Sequence, residues 1–297
     1  MRPAIDCVEV VLATKDPDLE RLARAVDSVL SQDGSTRVVL VDDGSAFPVA
    51  AWPSEPRVQV LRTAGVGVSA ARNLGLRHTS ASLIAFLDDD DEWLAGKLDA
   101  QRRHLAARPE LLLSDTEFCM VAMDGTVLND GFHSGHRDVN DLLDGCGMCL
   151  SSVVVRRQVL DIAGFFREDL RAGEDWEWFL RIAAAGPVGR VPQTFVRYLL
   201  KPDNPSRRYA ETWRAARLIY RRHLLHGHDR AERTAAFKGY LRVRRLVGTQ
   251  AFTHARNSRK AGEPFLVHAA RAMSLAPWAC LTELASHRFR SQNQVGP

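Results

Sequence analysis

Short apolar runs that end on polar residues recur along the first third of the chain, and they restrict its fold more than any other feature. Residues 8–13, 38–41, 58–61 and 83–87 are mainly apolar stretches, interrupted only by Glu9 and Gln59, rather than alternating ones. An amphipathic segment, with Leu19, Leu22, Val26, Val29 and Leu30 on one face, separates the first two, and residues 69–77 separate the last two. Strands that are apolar on both faces and alternate with helices predict a mostly parallel sheet with flanking helices, an α/β fold. In such sheets ligands bind beyond the carboxyl ends of the strands. Thr14, Asp42 and the run Asp88-Asp89-Asp90-Asp91 each stand at such an end. Acidic groups far apart in sequence are therefore expected to converge on one crevice.

Further along, residues 94–107 read as a helix, and residues 111–121 with 126–128 as a hairpin turning at Asp124-Gly125. Residues 151–155 read as a strand and 176–185 as a helix, preceded by Glu174-Asp175 and stopped by Gly186-Pro187. Two short strands, 188–191 and 195–200, are expected to finish the domain. Beyond them strand signals stop, and Arg-rich helical patterns cover 209–225, 231–252 and 264–284, before a loose tail at 286–297. The expected division is a catalytic domain over 1–205 and a basic helical region over 206–297.

Charge follows the same division. Residues 201–297 hold 19 Lys and Arg against 6 Asp and Glu, a surplus of +13, while residues 1–200 hold 21 against 30, a deficit of −9. A basic half on an acidic half suits an anionic partner such as a membrane surface, nucleic acid or a phosphorylated acceptor; a solvated Arg-rich helix surface explains the same charge at least as well. Hydrophobic residues at 45% and charged residues at 26% describe an ordinary globular chain. Five scattered cysteines do not make a disulfide framework, which favours a reducing, cytoplasmic setting. Residues 1–11 lack the pattern of a signal peptide, and the longest late apolar stretch, 265–281, is broken by His268 and Arg271, so neither export nor a membrane span is expected.

Four carboxylates on a turn at the rim of a sheet suit a hard divalent cation, which takes one or two protein carboxylates and fills its other positions with water and substrate phosphates. A solvated acidic loop or the N-cap of the next helix would use the same residues, and Asp91 in particular suits a capping role. The position of the run directly after a buried strand, in phase with the other strand ends, favours the site. Weaker signals are set aside. Gly65-Val66-Gly67 lacks the third spaced glycine of a dinucleotide fingerprint, and no Walker A sequence occurs. Cys146 and Cys149 have metal-ligand spacing without a second pair, and the histidines do not cluster. Trp93, Trp176 and Trp178 suit either the wall of a ligand site or core packing on helix faces, the commoner role of such aromatics.

The segment Ile84-Ala85-Phe86-Leu87-Asp88-Asp89-Asp90-Asp91-Glu92-Trp93-Leu94, with Lys97-Leu98 following, resembles the D-x-D segment of family-two glycosyltransferases. Four more segments agree in order: Val39-Leu40-Val41-Asp42-Asp43-Gly44-Ser45, Gly67-Val68-Ser69-Ala70-Ala71-Arg72-Asn73, residues 151–157 with Gly164-Phe165, and Gly173-Glu174-Asp175-Trp176-Glu177-Trp178-Phe179-Leu180-Arg181. The resemblance covers about residues 8–200. It implies a GT-A-type fold, a nucleotide-diphosphate sugar donor, most often a UDP-sugar, a hydroxyl acceptor and inversion at the anomeric carbon. Carried over residue by residue, Thr14 and Asp42 would hold the base and Arg72 would help at the nucleotide. Asp88 and Asp89 would lie near the ribose and diphosphate. Asp90, with Asp88 in support, would hold Mg²⁺ or Mn²⁺, and Asp175, next to Glu174, would be the general base.

That last role has an independent rationale, since direct displacement at a sugar carbon needs a carboxylate opposite the leaving group to take the acceptor's proton. Helix capping would account for one acid of the Glu174-Asp175 pair better than for both. Two departures stand out. The first strand ends Ala13-Thr14-Lys15-Asp16 where the family commonly reads P-T-Y-N, and Tyr198-Leu199-Leu200-Lys201 puts Lys where the family often has His. A protonated Lys does not ligate metal but can neutralise a diphosphate, which weakens the expected dependence on a cation.

The acceptor, a glycan, lipid-linked or small-molecule hydroxyl, is expected against residues 115–155 and the basic helices, which would also place the enzyme peripherally at the inner face of a membrane. No nucleic acid is expected. Two rivals remain: a nucleotidyltransferase, which would want a glycine- and lysine-rich phosphate loop where Thr14-Lys15-Asp16-Pro17 stands, and a non-catalytic nucleotide-sugar-binding module whose basic half grips a partner.

Overall fold

The computed structural model describes residues 7–32, 35–49, 55–129, 138–201 and 209–260. The chain divides into two compact units, Met1–Lys201 and Pro202–Pro297.

The first unit opens with β1 (Cys7–Thr14), α1 (Leu19–Leu30), β2 (Ser35–Asp42), β3 (Val58–Arg62), α2 (Val68–Arg77) and β4 (Leu83–Phe86). β1 pairs in parallel with β2 and β4, and β2 in parallel with β3. The unbroken apolar runs exist because successive side chains serve opposite faces. Val8, Val10, Leu12, Val38 and Leu40 pack with Leu22, Ala25, Val26 and Val29 of α1. Val39 and Val41 pack with Ala71 of α2 on the other side. α2 lies so near β1 that a Cβ on Gly75 would stand 2.5 Å from Cγ1 of Val11. α1 starts at Asp18, whose carboxylate accepts from the N–H groups of Glu20 and Arg21 and so satisfies two free donors of the first turn.

The unit continues with β5 (Glu92–Trp93), α3 (Lys97–Ala107), β6 (Leu113–Val121), α4 (Val139–Asp144), β7 (Val154–Arg156), α5 (Val159–Ile162), α6 (Glu174–Ala185) and β8 (Val188–Leu199). The eight-stranded sheet has the order β3-β2-β1-β4-β7-β6-β8-β5. The parallel expectation holds for β3-β2-β1-β4 and for β6 with β8; β7 runs antiparallel to both its neighbours, and β5 antiparallel to β8. The sheet is thus mixed. Apolar runs look alike in parallel and antiparallel strands once both faces are covered, so the sequence does not show the reversal.

Several element bounds differ from the expectations for identifiable reasons. α3 begins at Lys97 rather than 94, because the Leu94 N–H donates to the Phe195 carbonyl as an extension of β5, and Gly96 then turns the chain at φ 83°. β8 is one strand instead of two: the register against β6 jumps from Thr116↔Val191 to Glu117↔Thr194, so Pro192, which has no N–H to give, sits in a bulge. The hairpin at Asp124-Gly125 is present, with its return limb reduced to the bridge between Val121 and Val127. Residues 150–152 form a 3₁₀ turn ahead of β7.

In the second unit α7 (Tyr209–His226) and α8 (Arg230–Lys260) are joined by three residues, which makes them an antiparallel pair. Trp213 stacks near Tyr240 at 5.4 Å and Tyr220 meets Tyr240 edge-on at 6.1 Å. His223 Nδ1 and the Glu232 carboxylate are 2.6 Å apart, and Glu232 also accepts from the His228 N–H, closing the connection. The helix expected over 264–284 and the tail lie outside the described residues. No described helix is long and apolar enough to cross a membrane.

Candidate active site

Parallel pairing in register brings Thr14 and Asp42 to the same edge of the sheet as the last residues of β1 and β2. The Leu87 N–H donates to the Val11 carbonyl at 3.2 Å, so the aspartate run leaves the sheet beside β1. The Thr14 hydroxyl then donates to Oδ2 of Asp89 at 2.5 Å, joining two residues 75 positions apart.

The second strand end is organised by its two aspartates. Asp43 accepts from the Thr63 hydroxyl at 2.5 Å and from the N–H groups of Val66 at 2.7 Å and Gly67 at 2.9 Å. This draws the loop before α2 against β2. Gly44 makes the approach possible: it sits at φ 75°, and a Cβ there would come within 2.6 Å of the Gly65 nitrogen. Asp42 is fully buried. Its carboxylate accepts from the N–H groups of Ser45 and Val49 and pairs with Arg62. Burial pushes its pKa up, but these donors together hold it below the ordinary value. Both its oxygens are engaged, so the base-binding role expected of Asp42 would require part of this set to be exchanged for the ligand.

Gly67, at φ 99°, precedes α2, whose first turn and a half carries Arg72 inward. Arg72 is 7% exposed and bridges two carboxylates, Asp88 at 2.7 Å and Glu174 at 2.7 Å. Burial alone would disfavour its charge; Asp88 and Glu174, with Asp175 close by, outweigh this and raise its pKa. Asn73, next along, takes the Phe166 N–H on its Oδ1 and donates to the Phe166 carbonyl and the Glu168 carboxylate, each at 2.9 Å. α2 thereby fixes both the aspartate turn and the segment leading to α6.

The acid pair lies in the first turn of α6 rather than before it, with Gly173 at φ 68° as N-cap. Glu174 is held by Arg72. The Asp175 carboxylate accepts from the Trp176 N–H at 2.7 Å. Burial and the Glu174 charge push the Asp175 pKa up to about 7, against the opposing pull of Arg72. A carboxyl group poised there can take up and release a proton near neutrality.

The four aspartates have four different environments. Asp88 faces Arg72. Asp89 faces Thr14, and burial, with Asp90 and Asp88 adding to it, pushes its pKa up to about 6. Asp90 pairs with Lys201 at 2.5 Å. Asp91 does not cap the next helix: it is 1% exposed, accepts from the Ser151 hydroxyl at 2.6 Å and the Leu199 N–H at 3.0 Å, and ties the turn to β8. Burial pushes its pKa well up. Ser151 Oγ also accepts the Asp88 N–H at 3.1 Å, while its carbonyl takes the Trp93 indole N–H at 2.8 Å. Lys97, fully buried, lies 4.0 Å over the Trp93 ring and donates to Gln101; burial pulls its pKa down to about 7. Ser151→Ala would leave the buried Asp91 oxygen and the Asp88 N–H without a partner. A stability loss of about 1–3 kcal/mol is expected in denaturant unfolding.

Among the described residues no group of three or more His, Cys, Asp or Glu side chains is arranged to hold a metal unaided. Asp88 and Asp90 each use one oxygen, for Arg72 and Lys201, and the second oxygen of each makes no hydrogen bond among the described residues. This donor set fits a cation that takes one or two carboxylate oxygens and draws its remaining ligands from water and phosphate.

The structure therefore brings together Asp88, Arg72, Glu174 and Asp175, and separately Thr14 with Asp89 and Asp90 with Lys201. Ser151 and Asn73 were quoted in the sequence motifs without a role, because a hydrogen bond to a residue 60 or more positions away leaves no local pattern. Of the acceptor region, residues 130–137 lie outside the described residues. Within the rest, Arg190 pairs with buried Asp115 and donates to the Gly147 carbonyl, anchoring the loop before the 3₁₀ turn. Trp176 and Trp178 donate their indole N–H groups to the Leu142 and Gly164 carbonyls, in keeping with packing roles.

Comparison with known proteins extends these observations. S. aureus TarS, residues 1–349, superposes with a TM-score of 0.63 at 15% identity, covering 91% of this chain and 83% of that one, which establishes the GT-A-type fold. A protein of Rickettsia bellii described as an uncharacterized glycosyltransferase is 25% identical over 189 residues, 61% of this chain and 27% of its own length. The chain spans less than a third of that relative and of its counterparts in two other Rickettsia species. The Escherichia coli enzyme WfgD, described as a UDP-Glc:alpha-D-GlcNAc-diphosphoundecaprenol beta-1,3-glucosyltransferase, is 28% identical over 151 residues, 48% of this chain and 58% of its own. The family model described as glycosyl transferase family 2 matches residues 10–119, from β1 through the aspartate run into β6. Over these residues the chain is similar to glycosyl transferase family 2.

Proposed function

We propose that the chain transfers a sugar from a nucleotide-diphosphate donor, a UDP-sugar, to an acceptor hydroxyl with inversion at the anomeric carbon. The observation that carries this reading is the Arg72 bridge, which holds the acid pair of α6 against the aspartate turn at the strand ends. The name of the Escherichia coli relative specifies UDP-Glc, and TarS has been crystallised with UDP and with UDP-GlcNAc; both support a uridine nucleotide as donor.

In this reading Asp175 accepts the proton of the acceptor hydroxyl as its oxygen bonds to the anomeric carbon. The bond from that carbon to the diphosphate oxygen breaks, and the nucleoside diphosphate leaves. Thr14 and the β2 end face the nucleotide. Asp90 and Asp88 would hold Mg²⁺ or Mn²⁺, which when bound offsets the charge on the leaving diphosphate. Lys201 supplies a second positive charge at the same carboxylate.

A thermal-shift panel tests the donor and the cation together. UDP and UDP-sugars are expected to raise the melting temperature, more with Mg²⁺ or Mn²⁺ than with chelator, and Lys201→Ala is expected to widen that gap. Absence of stabilisation by any nucleotide diphosphate under any of these conditions would refute the reading.

The pH dependence follows from Asp175. Its raised pKa of about 7 means that the active carboxylate form is lost as pH falls through that value. Transfer at saturating donor is therefore expected to fall about tenfold per pH unit on the acid side of an inflection near 7. A flat profile between pH 5.5 and 8, with chemistry limiting, would remove Asp175 from the proton transfer.

A further inference from the structure

The second unit carries a face that includes none of the residues assigned to the candidate site. On α7 the exposed residues Arg214, Arg217, Leu218, Arg221 and Leu225 follow the spacing i, i+3, i+4, i+7, i+11, a single stripe along the helix. On α8 the exposed residues Arg233, Phe237, Lys238, Leu241 and Arg245 form another. The stripes also expose large apolar side chains: Leu218 is 44%, Leu225 61%, Phe237 53% and Leu241 44% exposed. The acids of the two helices do not balance the charge. Glu211 is half-buried, and Glu232 is buried against His223.

The two stripes open on one side of the hairpin. α7 turns Trp213, Ala216 and Tyr220 towards α8, and α8 turns Ala236, Tyr240 and Val247 towards α7. At about 100° per residue, each stripe lies about 120° from its own contact face, in the same rotational sense. In an antiparallel pair the same sense on both helices means the same side. The result is a two-helix surface with cations interleaved among exposed Leu and Phe and with no acid on either stripe's centre.

We propose that this face docks the chain on an anionic lipid surface, the apolar side chains entering the headgroup boundary and the Arg and Lys side chains pairing with lipid phosphates. Charge complementarity selects this occupant: a protein groove for Leu and Phe does not need uniform positive charge around them, whereas an acidic bilayer rewards each surface cation by about 1 kcal/mol. Docking is tested without donor or acceptor, so it stands or falls separately from sugar transfer.

The test is co-sedimentation of the full chain with vesicles of phosphatidylcholine alone or with about 30% phosphatidylglycerol, a charge density typical of acidic membranes. Binding at least tenfold tighter to the anionic vesicles is expected, weakening as salt rises. Phe237→Ser with Leu241→Ser, and separately Arg217→Gln with Arg221→Gln, should each lower binding several-fold at an unchanged melting temperature. The second pair changes only exposed side chains and serves if the first disturbs folding. Equal binding to neutral vesicles, binding that neither pair reduces, or no binding would overturn the proposal. So would a mass in sedimentation equilibrium twice that of the chain that both pairs return to monomer, which would assign the face to a second copy.

Discussion

Asp175→Asn is expected to lower sugar transfer about 10²- to 10⁴-fold, the range supplied by a positioned general base, while leaving UDP-sugar binding unchanged. Asn keeps the size of the side chain and an oxygen to accept the Trp176 N–H, so the first turn of α6 stays capped. What it cannot do is take a proton. Glu174 is a poor substitute because its carboxylate is committed to Arg72 at 2.7 Å. Single-turnover transfer measured beside donor affinity by calorimetry separates the two roles. Near-normal transfer by the variant would eliminate Asp175 as the base, and a parallel loss of donor affinity would assign it to binding instead. The neighbouring variant, Glu174→Gln, keeps Asp175 and should retain more activity than Asp175→Asn.

The first half of the fold is legible in the sequence because its strands are local statements. Each continuous apolar run marks a two-faced strand, and each ends on the polar residue that faces the ligand side, as Thr14 and Asp42 do. The same feature explains the misreadings further on. β7 is only three residues long, Val154-Val155-Arg156, so nothing in it announces that it runs antiparallel. Pro192 reads as a break between two strands until the β6 register shows a bulge that bypasses it. The site was legible in its residue types but not in its pairings. Asp91 looks like a helix cap from its position before residues 94–107, and only the distant Ser151 hydroxyl and Leu199 N–H reveal a buried tie. Asp42 looks like a free ligand-binding acid, and only Arg62 and the folded-back Ser45 and Val49 N–H groups show how it is occupied.

Arg72→Met is expected to cost about 3–5 kcal/mol of stability, because it leaves the buried Glu174 and the half-buried Asp88 without their counter-ion. For a chain of this size that loss corresponds to a fall of on the order of 10 °C in melting temperature. The loss should be smaller in Arg72→Met with Glu174→Gln than the two single changes predict, since removing one of the stranded charges relieves the other; the double-mutant cycle measures this coupling. Arg72→Lys keeps the charge but not the two-pronged reach to Asp88 and Glu174, so it should fall between wild type and Arg72→Met. A purely structural bridge would move stability alone. The geometry predicts more. Arg72 lowers the Asp175 pKa against burial and the Glu174 charge, so its removal must raise that pKa further. The acid limb of the pH profile should then shift to higher pH in whatever fraction of Arg72→Met remains folded, and less in Arg72→Lys, which keeps the charge. An unshifted limb, with stability lost as expected, would separate the bridge from proton transfer and confine Arg72 to holding α2, the aspartate turn and α6 together.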